Sequence, residues 1–231
     1  MTFYILPIVE GQTEQKFLER LLHRVWRELL CRPERLQIVE PFRGHRDALV
    51  HPNGQVLGDS LQKALLKLKA RTRKEPEAQS LLLILLDAEG DCPATLAPRL
   101  LALSKKTLPA DTSVACVLAR RMLENWIVGG ASTLAGVNGL PSPLPARDYF
   151  EERSGAAWLE GQLRSQNKAR KYKKTADAEP FVRTMNLQEC RGSCPSFDKL
   201  CRDLEGRLPQ QPDATTAGQA VPLVTDQEPA Q

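Results

Sequence analysis

The chain has 231 residues, of which 42% are hydrophobic and 26% charged, a globular composition long enough to bury a core without disulfide or metal staples. Its 32 Lys and Arg stand against 28 Asp and Glu, a net charge of +4 that is too small to argue for nucleic acid except through its distribution. No apolar run approaches the ~18 residues of a membrane span, and the short apolar start lacks a basic leader segment and a cleavage site. The expectation is a cytoplasmic protein with no membrane partner and six reduced cysteines, whose spacing makes no zinc knuckle.

Residues 3–9 form a β-rich apolar run interrupted by Pro7, which belongs at a bulge or where its missing N–H does no harm. Thr13 is a suitable helix cap, and Phe17, Leu18, Leu21, Leu22, Val25, Trp26, Leu29 and Leu30 then fall at helical spacing up to Pro33. A second strand is expected over 36–42. A long polar connection follows over 43–58, and then a helix capped by Asp59 or Ser60. Residues 80–87 are the clearest strand, apolar at every position as in a parallel strand buried on both faces. A helix over 94–105, a strand over 112–119 and a helix over 120–128 complete an alternating β-α series. That order predicts an α/β fold with a mostly parallel four-stranded sheet flanked by helices. The expected organisation is an α/β core over 1–130, a helical and basic C-terminal extension over 131–208, and a disordered tail over 209–231. Within the extension, helices are expected over 149–163 and 196–208, with a basic stretch between them.

Two acidic motifs stand directly after strands: V-E-G-Q-T-E, with Glu10 and Glu14, and D-A-E-G-D, with Asp87, Glu89 and Asp91. In a parallel sheet, functional groups collect beyond the carboxyl ends of strands, so both motifs fall on one edge. Crowded carboxylates repel one another unless a positive group neutralises them, and Mg²⁺ or Mn²⁺ is the hard cation suited to oxygen ligands. Taken singly, Glu14 and Asp91 are equally well explained as helix-start residues favoured by the helix dipole. Glu124, in R-M-L-E-N-W, follows the last strand and is a further candidate for the same edge, while Trp126 reads as a core anchor.

Between residues 164 and 174 the chain carries six cations and no acid. Lys168, Arg170, Lys171, Lys173 and Lys174 are candidates for contact with a nucleic-acid backbone, with Tyr172 available to stack on a base; a solvated face explains the same segment equally well.

The two acidic motifs resemble the glutamate and D-x-D motifs of TOPRIM domains, which occur in topoisomerases, bacterial primases and OLD-family nucleases. The whole layout resembles a bacterial family of unknown function placed with that group. The shared elements are E-G-x-T-E, L-L-D-x-x-G-D, the segment around Glu124, K-Y-x-K and a later S-F. That resemblance implies a TOPRIM-like fold in which Glu10 acts as general base or ligand, Asp87 and Glu89 are the main metal ligands, and Glu14 and Asp91 assist. It implies a Mg²⁺-dependent nuclease acting on DNA or RNA, encoded beside an ABC-type ATPase in an antiviral defence arrangement. The second motif departs from the pattern, reading D-A-E rather than D-x-D. This keeps a second expectation open: a catalytically weak or inactive subunit that regulates a partner ATPase.

Overall fold

A computed structural model describes residues 1–11, 13–145 and 153–207, the side chains at 13–16 excepted. The expected tail, and the first part of the helix expected over 149–163, lie outside the described residues.

Four lanes of parallel strand form the sheet. β1 (Thr2–Val9) lies at its centre, flanked on one side by β2 (Arg35–Ile38) and the short β3 (Phe42–Arg43), and on the other by β4 (Gln79–Asp87) and then β5 (Val114–Ala119). β2 and β3 are one interrupted lane, because β2 pairs with β1 only as far as Ile5–Ile38 and β3 resumes at Ile8–Phe42. This break resolves the expected difficulty with Pro7. The carbonyls of Met1, Ile5 and Val9 accept from Arg35, Val39 and Gly44, so the odd-numbered peptide groups of β1 face that lane. Pro7 therefore faces the gap between β2 and β3, where no ladder bond requires its missing N–H.

Side-chain parity divides the core into two layers. Odd positions of the central strands (Phe3, Ile5, Leu81, Leu83, Leu85, Ala115, Val117) join one buried cluster, and even positions (Tyr4, Leu6, Ile8, Leu82, Ile84, Leu86, Cys116, Leu118) join the other. Alternation along strands that are apolar at every position is what a sheet covered on both faces requires. The even face is covered by α2 (Arg46–Leu49), α3 (Gln55–Thr72) and α4 (Pro93–Thr107). α3 begins at Gln55, four residues before the earlier of the two expected caps, and is preceded by Gly54, which adopts the left-handed conformation at φ 68°. The polar connection 43–58 thus contains helical structure that its composition conceals.

The odd face is covered by α1 (Thr13–Arg24) and by the C-terminal helices α5 (Glu124–Gly129), α6 (Gly155–Gln166), α7 (Lys174–Thr184), α8 (Leu187–Ser193) and α9 (Pro195–Glu205). The regular turns of α1 end at Arg24 and widen into a π-helical segment over Val25–Leu29, which seats Trp26 against Phe3 with ring centroids 4.9 Å apart. Phe181, Phe197, Leu200 and Leu204 share one buried cluster with β1, β4 and β5, so the helical C-terminal segment completes the core of the sheet. α7 occupies part of the segment read as a basic stretch, and α8 follows it; the expected strand–helix boundary at 120 is a turn, with α5 starting at Glu124.

Among the described residues no helix is long and apolar enough to cross a membrane.

Candidate functional site at the carboxyl edge of the sheet

From β1 the chain builds β2 and β3 on one side and then crosses to β4 on the other. The carboxyl ends of β1 and β4 therefore form the topological switch point, where open α/β sheets place their ligand crevice. Glu10 follows β1 there, and Asp87 ends β4. The Asp87 amide donates to Glu10 Oε1 at 2.8 Å, which fixes the Glu10 carboxylate against the backbone at the end of β4. Asp87 is odd-numbered, so its side chain leaves the sheet on the face of the C-terminal helices. There its Oδ1 accepts from the Leu123 amide at 2.8 Å.

That contact brings in the end of β5. Glu124 opens α5 only 4% exposed, in a helix whose six residues are all buried. Trp126 anchors this helix: its indole N–H donates to Ser196 Oγ at 2.8 Å, and its ring meets Phe197 edge-on at 5.3 Å. Asn125 ties the start of α5 to the end of β5 and to α6, donating to the Arg120 carbonyl at 3.1 Å and accepting from the Gly155 amide at 2.7 Å. Gly155 is obligatory for this approach, since a Cβ there would lie 2.6 Å from Asn125 Oδ1 and 2.7 Å from the Glu124 carbonyl carbon.

The positive charge comes from two directions. Lys174, the first residue of α7, places Nζ 3.5 Å from Glu124 Oε1 and 3.9 Å from Asp87 Oδ2. Tyr172 also reaches Glu124, at 3.4 Å, while its ring packs against the odd-face core. Burial, followed by the charges of Glu124 and Asp177, pushes its phenol well above the ordinary tyrosine range. Tyr172 thus forms a wall of the site, with its ring against the core and its hydroxyl toward Glu124.

Arg46, whose side chain is only 10% exposed, holds the other flank. It donates to the carbonyls of Asp87 and Ala88 at 2.9 Å each, bonds Asp91, and lies 3.7 Å from Glu89. Burial works against its charge, but the bond to Asp91 and the fields of Glu89, Asp91 and Glu10 outweigh that and hold its pKa above the ordinary value. The loop it grips is strained: Glu89 has φ 50° and Arg121, whose carbonyl accepts from the Glu89 amide at 2.9 Å, has φ 59°. Left-handed backbone at residues with a Cβ is uncommon and concentrates at functional loops.

The candidate acids are therefore divided. Asp87 and Glu124 share Lys174 on the odd face, Glu10 is held by the Asp87 amide and also acts on Arg46, and Glu89 and Asp91, with side chains 60% and 51% exposed, are turned to Arg46. The side chain of Glu14 lies outside the described residues. The basic segment divides as well. Arg170 is spent on Asp177, Lys174 enters the acidic cluster, and Lys168, Lys171 and Lys173 remain exposed. Asp177 is 1% exposed and collects Arg170, the Lys173 amide at 2.6 Å and Asn138 at 2.9 Å, so it is the post on which this loop is wound. Neither Arg46 nor Asp177 stands out in the sequence. One lies in a polar connection, the other inside a helix whose pattern is masked by the neighbouring charges.

A divalent ion finds suitable donor chemistry here, with hard carboxylate oxygens at the ends of three strands. The Lys174 ammonium, 3.5 Å from Glu124 and 3.9 Å from Asp87, supplies the positive charge that these two carboxylates face. As folded, however, no three His, Cys, Asp or Glu side chains among the described residues are gathered as a ligand set.

The fold and site define an α/β protein with a parallel sheet and an acidic switch-point cluster completed by its own C-terminal helices. Residues 9–205 match the family model described as Domain of unknown function (DUF4276), and the chain belongs to that family. No curated protein and no solved structure matches it.

Proposed function

We propose that this protein is a TOPRIM-like, Mg²⁺- or Mn²⁺-dependent nuclease of the cytoplasm, cleaving phosphodiester bonds in DNA or RNA as the effector of an ABC-type ATPase in phage defence. The observation that carries the reading is the meeting of Asp87 and Glu124 on the one Lys174 ammonium beside the switch point, with Glu10 held on the Asp87 backbone amide. A bound divalent ion supplies an activated water and stabilises a leaving oxygen. Asp87 and Glu124 are the residues to hold it, with Glu10, fixed by the Asp87 amide, beside them as ligand or proton acceptor. Lys168, Lys171 and Lys173, exposed on the adjoining loop, supply salt-dependent contact with a phosphate backbone. All six cysteines are free, in keeping with a reducing compartment.

The second reading, a regulatory subunit docking on an ATPase, is favoured by one specific observation. Glu89, at the position of the second aspartate in D-x-D, faces Arg46 and solvent rather than Asp87 and Glu124.

The test is cleavage of plasmid, single-stranded DNA and RNA in Mn²⁺ or Mg²⁺, with and without the neighbouring ATPase. Activity that disappears in Asp87→Ala and in Glu124→Gln supports the nuclease. Activity that survives both substitutions, or no turnover under any condition, refutes it, the latter leaving the regulatory reading.

A further inference from the structure

Lys174 occupies a place that local energetics disfavour. It is the first residue of α7, where the helix dipole presents positive charge and disfavours a cation. Its loop is not loosely solvated: Asp177 takes the Lys173 amide and Arg170, fixing the backbone that presents Lys174 to the site. The ammonium is aimed at two carboxylates of low exposure, Asp87 at 15% and Glu124 at 5%, and is itself 26% exposed. Yet it lies 3.9 and 3.5 Å from them, beyond the ~2.7–2.9 Å of a charge-assisted hydrogen bond. The contrast with Arg46 is direct, since its bonds to the Asp87 and Ala88 carbonyls are 2.9 Å. Arg46 is a clamp. Lys174 neutralises two acids electrostatically from a flexible four-carbon stem and holds neither tightly.

We propose that Lys174 is a built-in counter-cation that competes with divalent metal for Asp87 and Glu124, so that the metal-free site is closed as an ion-pair network and its affinity for metal is set by this lysine. The inference rests on the metal reading given above. It accounts for the coexistence of hard-ligand chemistry with the absence of a gathered ligand set among the described residues. The ammonium occupies the ground between the acids and supplies the charge that allows them to lie together.

The experiment is Mn²⁺ titration by calorimetry, with the Mn²⁺-dependent shift in melting temperature measured alongside, on the full chain carrying Lys174→Met, Lys174→Arg or Asp87→Asn. Lys174→Met is expected to bind Mn²⁺ at least about tenfold more tightly than the wild type, because the unit charge that pairs with both carboxylates no longer opposes the ion. Its melting temperature without metal falls and its Mn²⁺-dependent gain exceeds that of the wild type, while Lys174→Arg, which keeps the charge and can fork onto carboxylates, binds Mn²⁺ no more tightly than the wild type and Asp87→Asn loses binding. Lys174→Gln, equally uncharged, repeats the measurement if the methionine variant does not fold. Equal or weaker Mn²⁺ binding by the uncharged variants, beside wild-type binding that Asp87→Asn abolishes, overturns the counter-cation and leaves the metal site standing. No Mn²⁺ binding by wild type or uncharged variants removes both.

Discussion

Replacing Asp177 with alanine is expected to loosen the element that delivers Tyr172 and Lys174. The Asp177 carboxylate is 1% exposed and carries Arg170, the Lys173 amide at 2.6 Å and Asn138 at 2.9 Å. Breaking a buried ion pair by deleting one partner costs about 3–5 kcal/mol. The Arg170 side chain is 32% exposed and can rehydrate, and the Lys173 amide opens to water at a helix start. These place the loss at the lower end, about 3 kcal/mol, which for a protein of this size lowers the melting temperature by roughly 6–12 °C. Urea unfolding measures the free energy, and amide hydrogen exchange over residues 168–174 locates it, with faster exchange there than in the strands. Asp177→Asn, which keeps the shape and one acceptor, loses less. A loss under about 1 kcal/mol, or exchange that quickens uniformly along the chain, refutes the assignment of Asp177 as the post of this loop.

Gly155→Ala drives a Cβ to 2.6 Å from Asn125 Oδ1 and 2.7 Å from Glu124 backbone, and overpacking of this kind is expected to cost about 2–3 kcal/mol in urea unfolding. Gly161→Ala, in open space on the same helix, instead stabilises by about 0.5–1 kcal/mol; equal effects at the two sites would contradict the close approach. Cys92 is expected to be the first of the six thiols labelled by iodoacetamide, because the hydrogen bond with Thr95 and the amides of Ala94 and Thr95 hold its pKa below the ordinary value. Burial pushes Cys116 and Cys201 up to about 12, so mass spectrometry should find them unmodified until the protein unfolds. For Asp198, burial alone would raise the pKa, but the bonds from Arg191 and Arg202 outweigh it and hold the carboxyl below its ordinary value. Its contribution is therefore full above the unfolded pKa of about 3.9 and is lost as pH falls through the lower folded value. The stability gap between wild type and Asp198→Asn should accordingly be present at pH 7 and shrink at pH 3, and a constant gap would contradict this.

Strands with no polar position and helices with one apolar stripe are local signals, and both were legible. The all-apolar run at 80–87 and the helical spacing from Phe17 to Trp26 became β4, α1 and the π-helical turn, with boundaries shifted by a few residues. Less was visible where short elements lie among charges. α2, the first turn of α3, α7 and α8 owe their stability to burial against neighbours rather than to a repeating pattern. Pro7 shows the division most clearly. Its sequence position announced a break in hydrogen bonding, but only the register of β2 and β3 shows which neighbour supplies the gap.

The same holds for the site. By themselves, the residues determined that Glu10 and Asp87 stand at the ends of apolar strands, because strand polarity and length are properties of contiguous chain. Tertiary structure decided which carboxylates are companions. Glu89 and Asp91, close to Asp87 in sequence, turn outward to Arg46, while Glu124 and Lys174, 37 and 87 positions further on, turn inward to it. The physical reason is sheet parity together with the cover of the odd face. The Asp87 side chain projects to the side covered by the C-terminal helices, so its partners come from the segments packed on that face rather than from its own loop.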